Sequence, residues 1–491
     1  MRLKTVTLKN FRCFESLTLN LHPRLTVIVG ENGAGKTAVL DGIASGLNPV
    51  LTYLSSANQR LTGRGIKDAD FRLQSAEAPR GKKQWGAADF AQILLETYEG
   101  LRWDYWRPSG NAQGAKPDET WGEKALKEHI ATIVASYKTA LPELTPVFAY
   151  YGASRGHIEV PERLRSAKLN YEYPAAALVD CFNPLSDFRE MLAWFDLEES
   201  SELRENKNAT DETYSPFPSL EAVRSTVLSI LGNAYRSPRF NARHKFVLER
   251  ISDGAEMQVN QLSQGYQSML ALAMDFARRL AIANKYRDEP GAASASFINE
   301  NLELLEPWDP ANVAGPFLVQ PFLSAPAIML VDEIDLHLHP SWQQRVLQDL
   351  MRAFPLTQFI VTTHSPQVLT SVYAACIRKL VSTNAPDSDQ TCIQVQLATE
   401  QTRGVASADV LASSMGVNPI PDVPEARKLS DYHALIQQNL HASDEGRRLR
   451  AELDAHFSPS HPVMHECDRM IRLQAFKQKL PVPRGADAGA T

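Results

Sequence analysis

The chain has 491 residues, 44% of them apolar and 22% charged, and a formal net charge of −6. That length exceeds what one hydrophobic core usually supports, so at least two structural units are expected. The acidic balance excludes a generic basic coat for nucleic acid, and no run approaches the roughly 18 consecutive apolar residues of a membrane span.

The first eight residues, Met-Arg-Leu-Lys-Thr-Val-Thr-Leu, alternate like a strand and lack the apolar block of a signal peptide. Cys13, Cys181, Cys376, Cys392 and Cys467 are scattered and have no C-x-x-C spacing. Both features suit a cytoplasmic protein with reduced thiols, no membrane partner and no structural zinc.

Residues 1–44 read as strand, turn, strand, glycine loop, helix, with Leu25–Val29 as a buried strand. Residues 45–145 break that pattern. With Arg80-Gly-Lys-Lys83, a hairpin turn at Glu99-Gly100, and Trp85, Trp103, Trp106 and Trp121, they read as an insertion with its own small apolar cluster. Val147–Tyr151 is a further strand, followed by Gly-Ala-Ser-Arg155. Residues 176–235 read as mainly helical, with a polar loop over Ser200–Pro218. Strands resume at His244–Ile251, and a helix starts near Gln264. A second insertion is expected at about 285–325, then the strand Ala327–Val331, a helix over Trp342–Ala353 and the strand Gln358–Thr363. The alternation predicts an α/β fold over 1–404. Residues 405–491 read as a charged helical region with a disordered tail.

The chemistry concentrates in a few segments. Gly30-Glu31-Asn32-Gly33-Ala34-Gly35-Lys36-Thr37 fits G-x-x-x-x-G-K-[ST], directly after a strand and before a helix. Such a loop folds its N–H groups around phosphate oxygens. Lys36 would reach the β- and γ-phosphates of ATP, and Thr37 would place its hydroxyl on Mg²⁺. Asp332 and Glu333 end an apolar strand, where two carboxylates are costly unless they meet a cation or serve a reaction. Asp332 is the candidate metal ligand, and Glu333 the candidate base that deprotonates the attacking water. His364, at the end of another strand, could sense the γ-phosphate. Leu262-Ser263-Gln264-Gly265 opens an apolar helix and supplies a second helix N-terminus suited to anions. The tryptophans of residues 85–121 suit hairpin packing better than base stacking.

In this order, P-loop, L-S-x-G, strand-Asp-Glu and strand-His, the chain resembles the ABC-type ATPase heads shared by SMC, RecF and the overcoming-lysogenization proteins. The resemblance implies a P-loop head with mixed sheets, insertions and a C-terminal helical region. It also implies a head-to-head homo-oligomer in which Ser263 and Gly265 of one copy cap the γ-phosphate held by the other. Asp335 matches the loop that crosses such an interface, and Arg12 falls where related heads place an arginine near the nucleotide. The glutamine-bearing loop of those heads has no counterpart in Tyr151–Arg155. His337 and His339 have H-x-H spacing, but the same His-Leu-His-Pro accompanies this motif in relatives without a second metal.

The runs Asp332–Gln344 and Phe354–Pro366 are similar to one bacterial subgroup, the ATPase subunit (PtuA) of Septu-type anti-phage systems, which some retron defence systems also use. That similarity implies a regulatory ATPase whose cutting partner is a small HNH endonuclease, docked on the helical tail or the insertions. It extends the partner set to DNA, retron RNA/DNA and a reverse transcriptase. The rival reading is a RecF- or SMC-like ATPase acting directly on DNA in repair or chromosome maintenance. A transporter subunit fits poorly, because Gln264 and Tyr266 depart from L-S-G-G-Q.

Overall fold

Leucine, valine and phenylalanine at alternating positions give β1 (Leu3–Phe11) and β2 (Phe14–Asn20) one buried edge each, and the two pair as an antiparallel hairpin. The run then enters β3 (Leu25–Gly30), nearly all of it buried. In this computed structural model, residues 1–56, 59–78, 82–110, 114–139, 142–156, 171, 173–183, 188–210, 213–231, 234–285, 325–384 and 391–479 are described. They divide into two units, Met1–Met415 and Gly416–Thr491. The expected insertion near 285–325 and the expected disordered tail fall almost wholly outside the described residues.

Beyond β3, the hairpin β4 (Leu73–Ala78) and β5 (Lys82–Ala87) stands as its own pair. β6 (Phe90–Thr97) and β7 (Arg102–Pro108) turn through Gly100, at φ 86, and join β1 to make the sheet β2-β1-β6-β7. This corrects the expectation of a separate apolar cluster within 45–145. Trp103 is fully buried, donates its indole N–H to the Gly46 carbonyl over 2.8 Å, and shares a core with Leu8, Ile43 and Leu47.

The central sheet runs β15-β14-β3-β13-β12-β8. It consists of β3 with β8 (Val147–Tyr151), β12 (Ala327–Val331), β13 (Thr357–Thr362), β14 (Ile377–Asn384) and β15 (Thr391–Leu397). All are parallel except β15, which runs antiparallel to β14. β8, β12 and β13 are buried at every residue, as parallel strands covered on both faces must be. Their side chains alternate between two cores. Met329, Val331, Phe359 and Val361 face one, and Ile328, Leu330 and Ile360 the other. Gln358 ties β1 to this sheet, accepting the Leu3 N–H and donating to the Leu3 carbonyl at 2.8 and 2.7 Å.

Helices α1 (Lys36–Gly46), α2 (Asn48–Leu54) and α3 (Lys124–Ser136) contribute to the core shared with β1 and β6. α4 (Phe188–Glu205), α5 (Pro218–Leu231) and α6 (Gln264–Ala283) fill the other. α4 continues into the stretch expected to be loop, because Glu202 is buried and satisfied by Arg224, Tyr214 and the Phe217 N–H. Between α5 and α6 lies the small antiparallel sheet of β9 (Tyr235–Phe240), β10 (Phe246–Arg250) and β11 (Glu256–Gln258), ordered β11-β10-β9. The helix predicted over Trp342–Ala353 is two, Pro340–Gln343 and Val346–Ala353. The first is held by the Gln343 amide on the Leu338 carbonyl at 2.9 Å, while the second buries Val346, Leu347 and Leu350.

Residues 405–415, expected in the C-terminal region, belong to the first unit, where Val410 joins the core. In the second unit the helices Pro424–Gln437, Asp444–Phe457 and Pro462–Lys479 enclose Tyr432, Ile436, Leu449, Leu453, Met464 and Cys467. Among the described residues no helix is long and apolar enough to cross a membrane.

Candidate functional site

Parallel strands place all their carboxyl ends on one edge, and ligands of open α/β sheets bind outside that edge. The loop after β3 holds Gly33 and Gly35 at φ 83 and 88, a left-handed backbone that glycine adopts without steric cost. At Gly35 space is also closed, since a Cβ would stand 2.5 Å from the Phe14 ring and 2.6 Å from the Cys13 sulfur. Glu31, Asn32 and Gly33 are exposed, and Ala34 is buried beneath them. Lys36 opens α1, and its Nζ donates to the carbonyls of Gly30 and Glu31, both at 2.9 Å. Burial lowers its pKa below the ordinary lysine value, with Asp332, Glu333 and Asp335 pulling the other way.

Asp332 and Glu333 follow β12, beside that loop. Asp332 accepts the Thr37 hydroxyl on Oδ2 at 2.8 Å and the Thr362 hydroxyl on Oδ1 at 2.6 Å. Thr362 Oγ1 also accepts the Glu333 N–H at 2.8 Å, so one hydroxyl serves both acids. Glu333 is half-buried and sits at φ 49, a costly conformation for a side chain with a Cβ. Asp335 accepts the Thr363 hydroxyl at 2.5 Å and, more loosely, the His364 N–H at 3.4 Å. The structure thus brings Lys36, Thr37, Asp332, Glu333, Asp335 and His364 to one edge. Thr37 and Asp332 offer hard oxygen donors, the set that suits a divalent cation completed by phosphate and water oxygens.

Arg155 is a member of this edge that the sequence did not single out. It follows β8 and is buried, donating to the carbonyls of Gly152, Asp332 and Glu333, the last at 2.6 Å. Burial pulls its pKa down to about 10, against the opposing pull of Asp332, Asp335 and Glu333. The available signal was an arginine four residues beyond an all-apolar strand.

Ser263 caps α6 without using its hydroxyl, which is exposed. Gly265 is buried against the Asp335 loop of the same chain, since a Cβ there would meet the His337 carbonyl oxygen at 2.6 Å. Tyr266 lies edge-on between Tyr235 and Trp342, with ring centroids 5.0 and 4.5 Å away. Further along α6, Asp275 accepts from Tyr151 at 2.9 Å and from Arg278 and Arg279 at 2.6 and 2.7 Å. Since the Tyr151 carbonyl receives the Asp332 N–H, a bonded path joins α6 to the acid pair.

Arg12 sits among acids of its own chain. Its Nη2 lies 2.6 Å from Asp41 and its Nε donates to Asp70 at 2.8 Å, with Arg64 on the same two carboxylates. Asp41 is on α1, one turn beyond Thr37. His339 directs Nδ1 to Ser341, and His337 holds a left-handed backbone at φ 62.

Two families match the chain: AAA domain over residues 5–222, and AAA domain, putative AbiEii toxin, Type IV TA system over residues 159–370. The retron Ec83 probable ATPase of Escherichia coli is 27% identical, over 95% of this chain and 86% of its own. The retron Vc95 probable ATPase of Vibrio cholerae serotype O1 biovar El Tor is 24% identical, over 77% and 73%. Septu protein PtuA of Bacillus mycoides (strain KBAB4) is 27% identical over 32% of this chain and 19% of its own. With the P-loop, the acid pair and L-S-x-G in one unit, the chain is an ATPase, similar along most of its length to the retron ATPases and over a shorter stretch to PtuA.

Proposed function

We propose that this ATPase is the regulatory subunit of an anti-phage defence complex, forming composite ATP sites between two heads and controlling a partner HNH nuclease. The observation that carries the ATPase half is the Thr362 hydroxyl shared by Asp332 and Glu333, which sets metal ligand and base on one frame. In this reading the N–H groups of the Gly30–Gly35 loop and Lys36 hold the phosphates. Thr37 and Asp332 hold Mg²⁺, which supplies charge neutralisation when bound. Glu333 takes the proton of the attacking water, and His364 steadies it. The shared site is supported by Ser263, exposed at the N-terminus of α6 with a hydroxyl that caps no N–H among the described residues. The defence role is supported by likeness to the retron and Septu proteins, and the nuclease partner rests on the resemblance of Asp332–Gln344 and Phe354–Pro366 to the Septu ATPase subunit.

The test is a mixture of two defective proteins. Lys36→Ala should lose ATP binding, and Ser263→Arg should keep binding but block closure and hydrolysis. Mixed in equal amounts they form one intact composite site per heterodimer, restoring about a quarter of native turnover if pairing is random. No restoration would sink the shared site. Co-purification of an HNH protein from the native host tests the partner. Tight ATP-dependent DNA binding by the isolated chain, weakening steeply with salt, would instead support direct action on DNA.

A further inference from the structure

Arg155 is 3% exposed at the end of the turn that follows β8. A buried cation normally gives its hydrogen bonds to a carboxylate. Asp332, Glu333 and Asp335 are close enough to stabilise its charge, yet its fork donates to main-chain oxygens: Nη1 to Gly152 and Asp332, Nη2 to Glu333. Among the described residues Nε has no partner, so the guanidinium is oriented by the carbonyls. Successive carbonyls of a strand point to opposite sides. Those of Asp332 and Glu333 reach one guanidinium only because the chain leaves β12 in a turn, and Glu333 takes φ 49 there. A planar fork can hold two such oxygens at once, where an ammonium is a single point of charge.

We infer that Arg155 is the positioning residue for Glu333, holding the main chain of Asp332 and Glu333 in the turn that presents the Glu333 carboxylate, and so setting the rate of hydrolysis without touching nucleotide. This rests on the reading of Glu333 as the base. The Thr362 hydroxyl fixes the Glu333 N–H from one side and Arg155 fixes its carbonyl from the other. The Asp332–Glu333 peptide unit is therefore clamped at both ends, its carbonyl by Arg155 from the turn after β8 and its N–H by Thr362 of β13. β8 thereby takes part in the site although it contributes no residue to the P-loop or the acid pair.

The test uses the full chain with Arg155→Gln, Arg155→Lys, Glu333→Gln and the double variant Arg155→Gln/Glu333→Gln. Arg155→Gln should lower kcat about a hundredfold while ATP affinity stays within about threefold of native. Arg155→Lys, with charge but no fork, should fall between the two. The double variant should be no slower than Glu333→Gln alone, because Arg155 acts only through that carboxylate. A folded Arg155→Gln or Arg155→Lys protein with native kcat overturns the inference. So does a loss of ATP affinity in step with kcat, or a further loss in the double variant. If Arg155→Gln does not fold, the Arg155→Lys comparison decides alone. Native turnover by Glu333→Gln would remove the base itself, an outcome distinct from failure of the Arg155 variants.

Discussion

The carbonyl oxygen of His337 stands 2.6 Å from the point where a side chain at Gly265 would begin. The glycine of L-S-x-G is thus required by packing within its own chain, whatever it does across an interface. Gly265→Ala would push back the loop that carries Asp335 and, through it, the Thr363 and His364 contacts. We expect about 1–3 kcal/mol lost from stability by overpacking and hydrolysis reduced by about tenfold or more. Ser263→Ala, at an exposed position whose hydroxyl caps nothing, should unfold within roughly 0.5 kcal/mol of native. Paired denaturation curves and turnover numbers separate the two, and equal stabilities would contradict the packing.

Glu333→Gln should retain ATP and lower turnover by about 10²–10⁴-fold. Lys36→Ala should instead abolish binding, since the ammonium opens α1 beneath the exposed loop. Calorimetric ATP titration beside phosphate release reads both, and undiminished turnover in Glu333→Gln would require another base.

The Tyr151–Asp275 contact should show in stability. Tyr151→Phe removes one buried hydrogen bond and should cost about 1–2 kcal/mol. Asp275→Ala strands two buried guanidinium groups and should cost about 3–5 kcal/mol. Burial alone would raise the Asp275 pKa, but Arg279 and Arg278 outweigh it and hold the carboxyl at about 2. Its folded pKa is depressed, so its contribution is present above the ordinary aspartate value and disappears as pH falls toward 2. Urea unfolding of both variants checks the ranking.

His22 supplies a milder pH dependence. Its Nδ1 accepts the N–H groups of Arg24 and Leu25 ahead of β3, at 3.2 and 3.3 Å. Burial, then the nearby Arg378 and Arg24, lower its pKa to about 4. Between its ordinary value of 6.5 and 4 the unfolded chain binds the extra proton, so stability should fall as pH drops through that window. His22→Gln should flatten that stretch of the stability curve, and an unchanged slope would mean other groups produce it.

Much of the edge was legible because its residues are contiguous with their strands. Gly30–Thr37, Asp332-Glu333 and His364 each follow an apolar run that could only be buried, so their placement follows from parallel pairing. β9 was not legible, because Pro238 and the left-handed Ser237 break its alternation and its register with β10 shifts there. β6 looked like insertion because one of its two partners, β1, lies some 90 residues earlier in the chain, and local pattern does not record distant pairing. Arg155 escaped notice because its partners are main-chain oxygens, which leave no mark on residue identity.

Thr362 belongs to β13, yet it spaces two acids that directly follow β12. One oxygen atom donates to the first acid and receives the N–H of the second. Serine at that position would preserve both links and valine would cut both together. The proposed metal ligand and the proposed base are therefore one moving part, and a partner that displaced β13 by a fraction of an ångström would retune both at once.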